Sequence, residues 1–236
     1  MIYVFNPNPS HSARLLASTL GAKRLRNPRR LHRADIIVNW GSRDLEWARS
    51  QGVKILNGSL GVSKWDEIYL LNKAKLPTPP LSKKKEGPDW YPRSAFHSHG
   101  TDFLRGVKSP AFFVQRLKIL DEYRLHVFKF KEDDIRILRW GKKVPRGPEA
   151  HEWVRSDVGG WRLSYGLSSE QLPKGLRPVA KDAISKLDYD WGAVDMGLTS
   201  FGKPVIFEVN SAPGLDEGGK TIQLYAEAIR EHLEGK

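Results

Sequence analysis

The stretch Gly192–Asn210 constrains this chain most. Two apolar segments flank Ser-Phe-Gly-Lys (200–203), and each carries an acid inside the apolar run. The alternation reads as an antiparallel hairpin. A symmetric turn centred between Phe201 and Gly202 sets Asp195 directly opposite Glu208. In that register Ile206, Glu208 and Asn210 share one face, while Val205, Phe207 and Val209 take the other. Two carboxylates facing each other across a ladder repel, so the pair calls for a cation. Oxygen donors without His or Cys suit Mg²⁺, which accepts one or two carboxylates and leaves positions for phosphate oxygens. A plainer reading has Lys or Arg neutralise both acids as surface salt bridges. Against it, acids in strongly apolar strands are costly to bury. Asn210-Ser-Ala-Pro-Gly-Leu215 then follows, a turn that brings backbone close to whatever the acids bind.

The rest of the chain alternates strands and helices. Met1–Phe5, Asp35–Trp40 and Val53–Leu56 read as strands. A helix capped by Ser10 or Ser12 carries Ala13, Leu16, Ala17 and Leu20 on one face, and Arg43–Gln51 reads as a second helix. This pattern predicts a small parallel sheet over residues 1–58, without the Gly-x-Gly-x-x-Gly of a dinucleotide site. A helix over Lys64–Ala74 ends at Leu-Pro-Thr-Pro-Pro, and Ser82–Pro88 reads as a Lys-rich loop. Strands follow at Trp90–Ala95, Ala111–Leu117, Tyr123–Lys129 and Asp134–Trp140. Pro178–Leu187 fits a polar helix, and Thr221–Leu233 an amphipathic one with Ile222, Tyr225, Ala226, Ile229 and Leu233 inward.

Composition narrows the chemistry. The chain has no cysteine, which removes disulfides, thiolate zinc sites and Cys nucleophiles. No apolar run approaches a membrane span, and Met1–Phe5 is too short for a signal core, so no membrane partner and a cytoplasmic location are expected. The net charge is +12, and before Asp35 stand Arg14, Lys23, Arg24, Arg26, Arg29, Arg30 and Arg33 with no acid among them. Such a bias fits an acidic or nucleic-acid partner, or simply a solvated basic face.

The run DWGAVDMGLTSFGKPVIFEVNSAPGL closely resembles the metal-binding end of the ATP-grasp ligases, with an Asp on one strand, Glu-x-Asn on the next and a Pro-Gly turn. The resemblance implies Asp195, Glu208 and Asn210 as Mg²⁺ ligands beneath the phosphates of ATP, two ions in number, with Mn²⁺ able to substitute. Upstream segments resemble the same family in order, Val154–Gly160 its glutamate-ligase-like branch, and the short length and compact lid resemble small bacterial and phage members. AFFVQR (111–116) resembles the strand entering the adenine pocket, which implies base reading by backbone at Gln115, Arg116 and Leu117. Asp-Glu-Tyr-Arg124-Leu-His-Val implies Arg124 at the active centre, and Val154–Gly160 implies Arg155 near the transferred phosphate, with Asp157 where the family has Asn. Tyr91–Thr101 resembles the strand and glycine-rich lid loop. There Arg93 stands where Lys is commoner and one glycine remains, and His97 and His99 are candidate phosphate contacts. Lys64 resembles an earlier family lysine, and Lys142 or Lys143 is a further phosphate candidate.

The resemblance covers residues 52–236, and over 1–51 only the βαβ pattern is shared. It implies an α/β (α+β ATP-grasp) fold: a βαβ domain at 1–58, a lid lobe at 59–110 and a C-terminal lobe at 111–236 carrying the metal site. The implied reaction joins a carboxylate to an amine through an acylphosphate, the acceptor being an amino acid, peptide or protein. Ligation onto a nucleic acid or its bases, and a nucleotide- or nucleic-acid-binding module with weakened catalysis, are the competing readings. Substrate pockets in the family are built from loops that correspond to Gly141–Trp161 and Ala212–Gly219.

Overall fold

The computed structural model describes residues 1–59, 62–95, 102, 106–166, 168–215 and 219–235. Its α/β architecture comprises three sheets. Strands β1 (Ile2–Phe5), β2 (Lys23–Leu25), β3 (Ile36–Asn39) and β4 (Lys54–Leu56) form a parallel sheet in the order β2-β1-β3-β4. Helix α1 (His11–Leu20) connects the first two strands, and Ser10 is its cap, accepting from the Ala13 N–H. Ala13, Leu16, Ala17 and Leu20 are buried, as the helical spacing predicts. The helix expected over Arg43–Gln51 shrinks to one turn, α2 (Glu46–Arg49), whose N-terminus no side chain caps. The three-residue β2 is basic and carries no alternating pattern, so it escapes the sequence reading.

Helix α3 (Lys64–Lys73) leads into a three-stranded antiparallel sheet of β5 (Leu81–Ser82), β6 (Trp90–Arg93) and β7 (Phe112–Gln115), in the order β5-β7-β6. Strand β7 therefore pairs with the preceding residues rather than with the lobe expected to begin at residue 111. The third sheet is antiparallel, ordered β10-β9-β8-β11-β12. It is built from β8 (Ile119–Lys129), β9 (Ile135–Pro145), β10 (Trp161–Ser164), β11 (Trp191–Thr199) and β12 (Pro204–Asn210). The expected loop 141–161 is thus strand at 141–145 and again at Trp161. Helices α4 (Leu176–Lys186) and α5 (Lys220–Glu234) complete the chain, and no described helix is long and apolar enough to cross a membrane.

One face of the five-stranded sheet is dry. Leu176, Ala180, Ala183 and Ile184 of α4 pack on Tyr123, Leu125, Val127, Val194, Met196, Ile206 and Val209. Full burial of each Leu or Ile contributes about 1.5–3 kcal/mol, so this contact fixes the sheet and frees its other face for polar groups. A second core joins the parallel sheet to the rest. Trp40 stacks on Trp191 at 6.1 Å and meets Tyr225 edge-on at 5.6 Å, with Val4, Val38, Leu56, Phe128 and Ile229 around them. Residues 1–58 are therefore bound to the C-terminal lobe through shared apolar burial.

The hairpin reaches the expected pairing by an unexpected route. Thr199 and Lys203 close a loop centred on Phe201, half a residue earlier than a centre between Phe201 and Gly202, with Gly202 at φ +70°. A β-bulge at Phe207 absorbs the offset, so that Met196 pairs with Ile206 but Asp195 pairs with Glu208. The bulge also breaks the strict alternation. Ile206 and Val209 both join the dry face, correcting the placement of Ile206 beside Glu208. Phe207 swings over Gly197, where a Cβ would lie 2.7 Å from its ring.

Candidate active site

The residues on the face away from α4 follow from pairing alone. Gly141, Arg124, Asp195 and Glu208 form one row across β9, β8, β11 and β12. The next row holds Arg139, His126, Ala193 and Asn210. Because side chains alternate, the acid–amide series of β12 and the Arg-x-His series of β8 share one surface.

Asp195 is only 4% exposed, and Arg124 grips both its oxygens, Nε to Oδ1 at 2.8 Å and Nη2 to Oδ2 at 2.6 Å. Burial alone would raise this carboxyl, but Arg124 and Lys143 outweigh it and hold Asp195 well below the usual carboxylate range. Its charge in turn holds the Arg124 guanidinium protonated. Glu208 lies 3.6 Å from Lys64 Nζ, and its side chain is 27% exposed. Asn210 Oδ1 accepts the Ala212 N–H at 3.0 Å, which fixes the start of the Pro-Gly turn. Leu215 at the end of that turn donates to Ser12 Oγ at 2.8 Å.

Three more cations approach this face. Lys64 opens α3, where Ser63 accepts the Asp66 N–H, and it contacts Glu67 at 3.4 Å as well as Glu208. Glu67 also accepts the Val209 N–H at 2.8 Å. Burial lowers the affinity of Lys64 for its proton, yet Glu67 and Glu208 more than restore it. Arg93, on β6, stands 3.6 Å from Asp102, and Glu208 is the largest influence opposing its desolvation. Lys143 holds Glu122 at 3.0 Å. Burial raises the Glu122 carboxyl against the pull of Lys143 and Arg155.

Sequence reasoning named neither Glu67 nor Glu122 as a site residue. Glu122 stood inside the Glu-Tyr-Arg motif, two residues before Arg124, and that spacing on a strand already placed it on the same face. Glu67 is three residues beyond Lys64 on a helix, and only the packing of α3 on β12 reveals it.

Other expected residues fall elsewhere. Lys142 pairs with Tyr123 on the α4 side of the sheet and binds Asp121 at 2.8 Å, so of the two lysines it is Lys143 that faces the cluster. Arg155 clasps the start of β8, donating to the carbonyls of Ile119 at 2.9 Å and Leu120 at 3.0 Å, and comes within 3.8 Å of Glu122. It borders the cluster as the tie of its own loop. The N–H groups of Gln115 and Arg116 donate to Pro80 and Asp89 at 2.9 and 2.8 Å. Of the backbone groups expected to read a base at Gln115–Leu117, these two N–H groups are therefore already taken. The Arg116 side chain donates to the Tyr91 hydroxyl at 3.0 Å and stacks on Trp153. His97 and His99 lie outside the described residues.

His126 sits under the face between the hydroxyls of Tyr225 and Tyr165, 3.2 Å from each. Burial, with Arg124 adding to it, pushes the imidazole down to about 3, so it stays neutral. Tyr165 covers Gly141, where a Cβ would lie 2.9 Å from its ring, and the Arg139 guanidinium lies 3.9 Å from the Tyr165 ring centroid.

No group of three or more His, Asp and Glu side chains gathers in metal-holding geometry among the described residues. The donor set is two carboxylates and an amide. Arg124 takes one lone pair of each Asp195 oxygen, Ala212 takes one of Asn210 Oδ1, and each oxygen keeps a further one. This suits an ion that draws its remaining ligands from phosphate and water.

No family model matches the chain. The D-alanine–D-alanine ligase of Burkholderia thailandensis is 23% identical over 211 residues, covering 75% of this chain and 65% of the ligase. The chain thus spans about two thirds of the length of these curated ligases. A 28% match over 169 residues to the transport protein SEC31 of Coccidioides immitis covers only 12% of that protein. Among solved structures, the ATP-grasp ligase PsnB bound to a minimal precursor superposes with a TM-score of 0.66 at 12% identity, covering 98% of both chains. D-alanyl-alanine synthetase A of Vibrio cholerae gives 0.68 at 12% identity, covering 99% of this chain and 97% of that one. Agreement over nearly the full length of both chains fixes the architecture: this chain has the ATP-grasp fold.

Proposed function

We propose that the chain is an ADP-forming carboxylate–amine ligase using ATP and Mg²⁺. The observation that carries this reading is the Asp195–Glu208 pair, opposed across β11 and β12 and ringed by Arg124, Lys64, Arg93 and Lys143. Phosphoryl transfer needs little covalent help from protein, so positioned cations and carboxylates suffice, and no nucleophilic side chain is required. The similarity to D-alanine–D-alanine ligase and to PsnB supports the same class.

Asp195, Glu208 and Asn210 would hold Mg²⁺, two ions with Mn²⁺ able to substitute, and the metal would neutralise phosphate charge. Lys64 from α3, Arg93 from the three-stranded sheet and Lys143 from the five-stranded sheet bind the phosphates, with His97 and His99 as further contacts. Arg124 holds Asp195 ionised and oriented, and Arg155 stabilises charge developing on the transferred group. A substrate carboxylate oxygen attacks the γ-phosphorus, the bond to the β-phosphate oxygen breaks, and ADP leaves. An amine nitrogen then attacks the acyl carbon of the acylphosphate, phosphate departs, and an amide remains. The nucleotide lies between the three- and five-stranded sheets, flanked by a lobe near residues 1–58 and by the expected lobes 59–110 and 111–236 with their boundary moved past β7, in a cytoplasmic enzyme.

PsnB has been solved with precursor peptides, and an amino acid, peptide or protein acceptor is the first choice here. A ligase acting on nucleic acid is the second. It is favoured by Lys23, Arg26, Arg29, Arg30 and Arg33, which are exposed and make no ion pair among the described residues. An ADP-release screen of amino acids, acidic peptides and oligonucleotides, with mass spectrometry of products, separates the two. Nucleotide binding without ADP release for any acceptor class would leave only a binding module.

A further inference from the structure

Strand β12 is the outer strand of its sheet, so its outward N–H groups need partners from elsewhere. Ile206 donates to the Pro77 carbonyl at 2.7 Å. Val209 donates to Glu67 Oε1 at 2.8 Å. The second acceptor is unusual because it is a carboxylate, on the first turns of α3, with only 2% of the residue exposed. Capping one amide needs no charge. A glutamine would supply the same oxygen, and burying an anion costs several kcal/mol unless a cation answers it. The answer is Lys64, three residues back on the same helical face, with Nζ 3.4 Å from both Glu67 oxygens.

Two consequences meet at one side chain. Val209 stands between Glu208 and Asn210, so Glu67 fixes the backbone that aims both. The ammonium held by Glu67 also lies 3.6 Å from Glu208. Were Glu208 its sole counter-charge, Lys64 would lose its partner whenever Glu208 turned to a metal ion. Glu67, buried and bound to the strand, keeps the ammonium in place through that exchange.

We infer that Glu67 is a positioning residue for nucleotide binding: it anchors the Lys64 ammonium beside Glu208 and locks β12 between Glu208 and Asn210. The inference rests on the ligase reading. Glu67→Gln keeps the size and the acceptor for Val209 but removes the charge, whereas Glu67→Ala removes both. The experiment is calorimetric binding of ADP with Mg²⁺ to the full chain, wild type against Glu67→Gln, Lys64→Met and the double variant, with Tm recorded for each. Glu67→Gln is expected to weaken nucleotide binding about tenfold or more, as supporting partners of metal and phosphate ligands do. It is expected to add nothing in the Lys64→Met background. Glu67→Ala lowers Tm as well, since Val209 is left without an acceptor. Wild-type affinity in Glu67→Gln overturns the inference, as do independent, additive losses in the double variant, because a mere edge cap predicts either. A wild type that binds no nucleotide overturns the ligase reading and this inference with it.

Discussion

Two polar clusters adjoin the same junction, and they are built on different rules. Where the parallel sheet meets the C-terminal lobe, the buried polar side chains are the neutral amides of Asn39 and Asn57, with the Asp190 carboxylate accepting the Asn57 N–H at their edge. Asn39 donates to the carbonyls of Ser42 and Asn57 at 3.0 and 2.9 Å and accepts the Ser42 N–H at 2.9 Å. Asn57, at φ +54°, donates to the Ser211 carbonyl at 3.1 Å and accepts the Asp190 N–H at 3.1 Å. Both are 2% exposed and are spent on their neighbours. On the sheet face beyond, the groups are charged, and several pairs stand at 3.4–3.8 Å rather than at hydrogen-bond optimum. Neutral groups saturated by neighbours make a joint. Charges loosely paired make a site, because phosphate or metal can replace a partner without leaving a donor orphaned.

The largest expected effect breaks the site and spares the joint. Glu208→Gln removes a charge from the proposed metal set at a partly exposed position. ADP release is expected to fall by roughly a thousandfold, corresponding to about 4 kcal/mol of transition-state stabilisation, with an unchanged urea midpoint. ADP release at the wild-type rate would remove Glu208 from the metal set. The reverse experiment is Asn57→Ala, which strands the Ser211 carbonyl and Asp190 amide and places alanine at a positive φ. A loss of about 3 kcal/mol in unfolding free energy is expected, with ATP KM little changed. A variant as stable as wild type would show that the joint contributes little.

Much of this contrast was legible in the sequence, though unevenly. The facing of Asp195 and Glu208 followed from hairpin symmetry, but the reasoning survived because the Phe207 bulge cancelled a turn centred half a residue away. The same bulge defeated the alternation at Ile206, since a bulge depends on side-chain packing over Gly197 that no period reveals. Helix α1 was legible because its apolar spacing is regular. Strands β2 and β5, of three and two residues, have no period to detect. Glu67 was invisible because an acid in a first helical turn ordinarily faces water and the helix dipole. What buries it is the docking of α3 on a strand 142 residues away. The Asn39–Asn57 joint was equally silent, because an asparagine closing a strand or following one reads first as a turn.

His126 sharpens the comparison from inside the charged face, since it is built like the joint: neutral, buried and hydrogen-bonded to two tyrosines. Burial pushes its folded pKa down to about 3, against 6.5 for an ordinary exposed imidazole. Below pH 6.5 the unfolded chain binds a proton that the folded chain refuses. Stability is therefore lost as pH falls from 6.5 toward 3, with a slope approaching about 1.4 kcal/mol per unit. Urea unfolding of wild type at pH 6.5 and pH 5 should differ by up to about 2 kcal/mol more than that of His126→Gln, whose amide does not titrate. Equal differences would mean that the folded state accepts the proton.

The smallest effect asks whether strand phase alone sorts two adjacent lysines. Lys143 faces Asp195 and holds Glu122, while Lys142 lies on the opposite surface against Tyr123 and Asp121. Their sequence neighbourhoods are nearly the same, so a role set by local composition would affect both alike. A role set by the pleat assigns phosphate contact to Lys143 only. Lys143→Met is expected to raise the KM for ATP about tenfold, the loss of one charge-assisted hydrogen bond of roughly 1.4 kcal/mol. Lys142→Met should leave it within experimental error, because an exposed pair such as Lys142–Asp121 contributes at most about 1 kcal/mol to stability and nothing across the sheet. Equal KM changes in the two variants would mean that the face of the sheet does not decide which cation meets the nucleotide, and the separation of a charged working face from a dry structural one would fail with it.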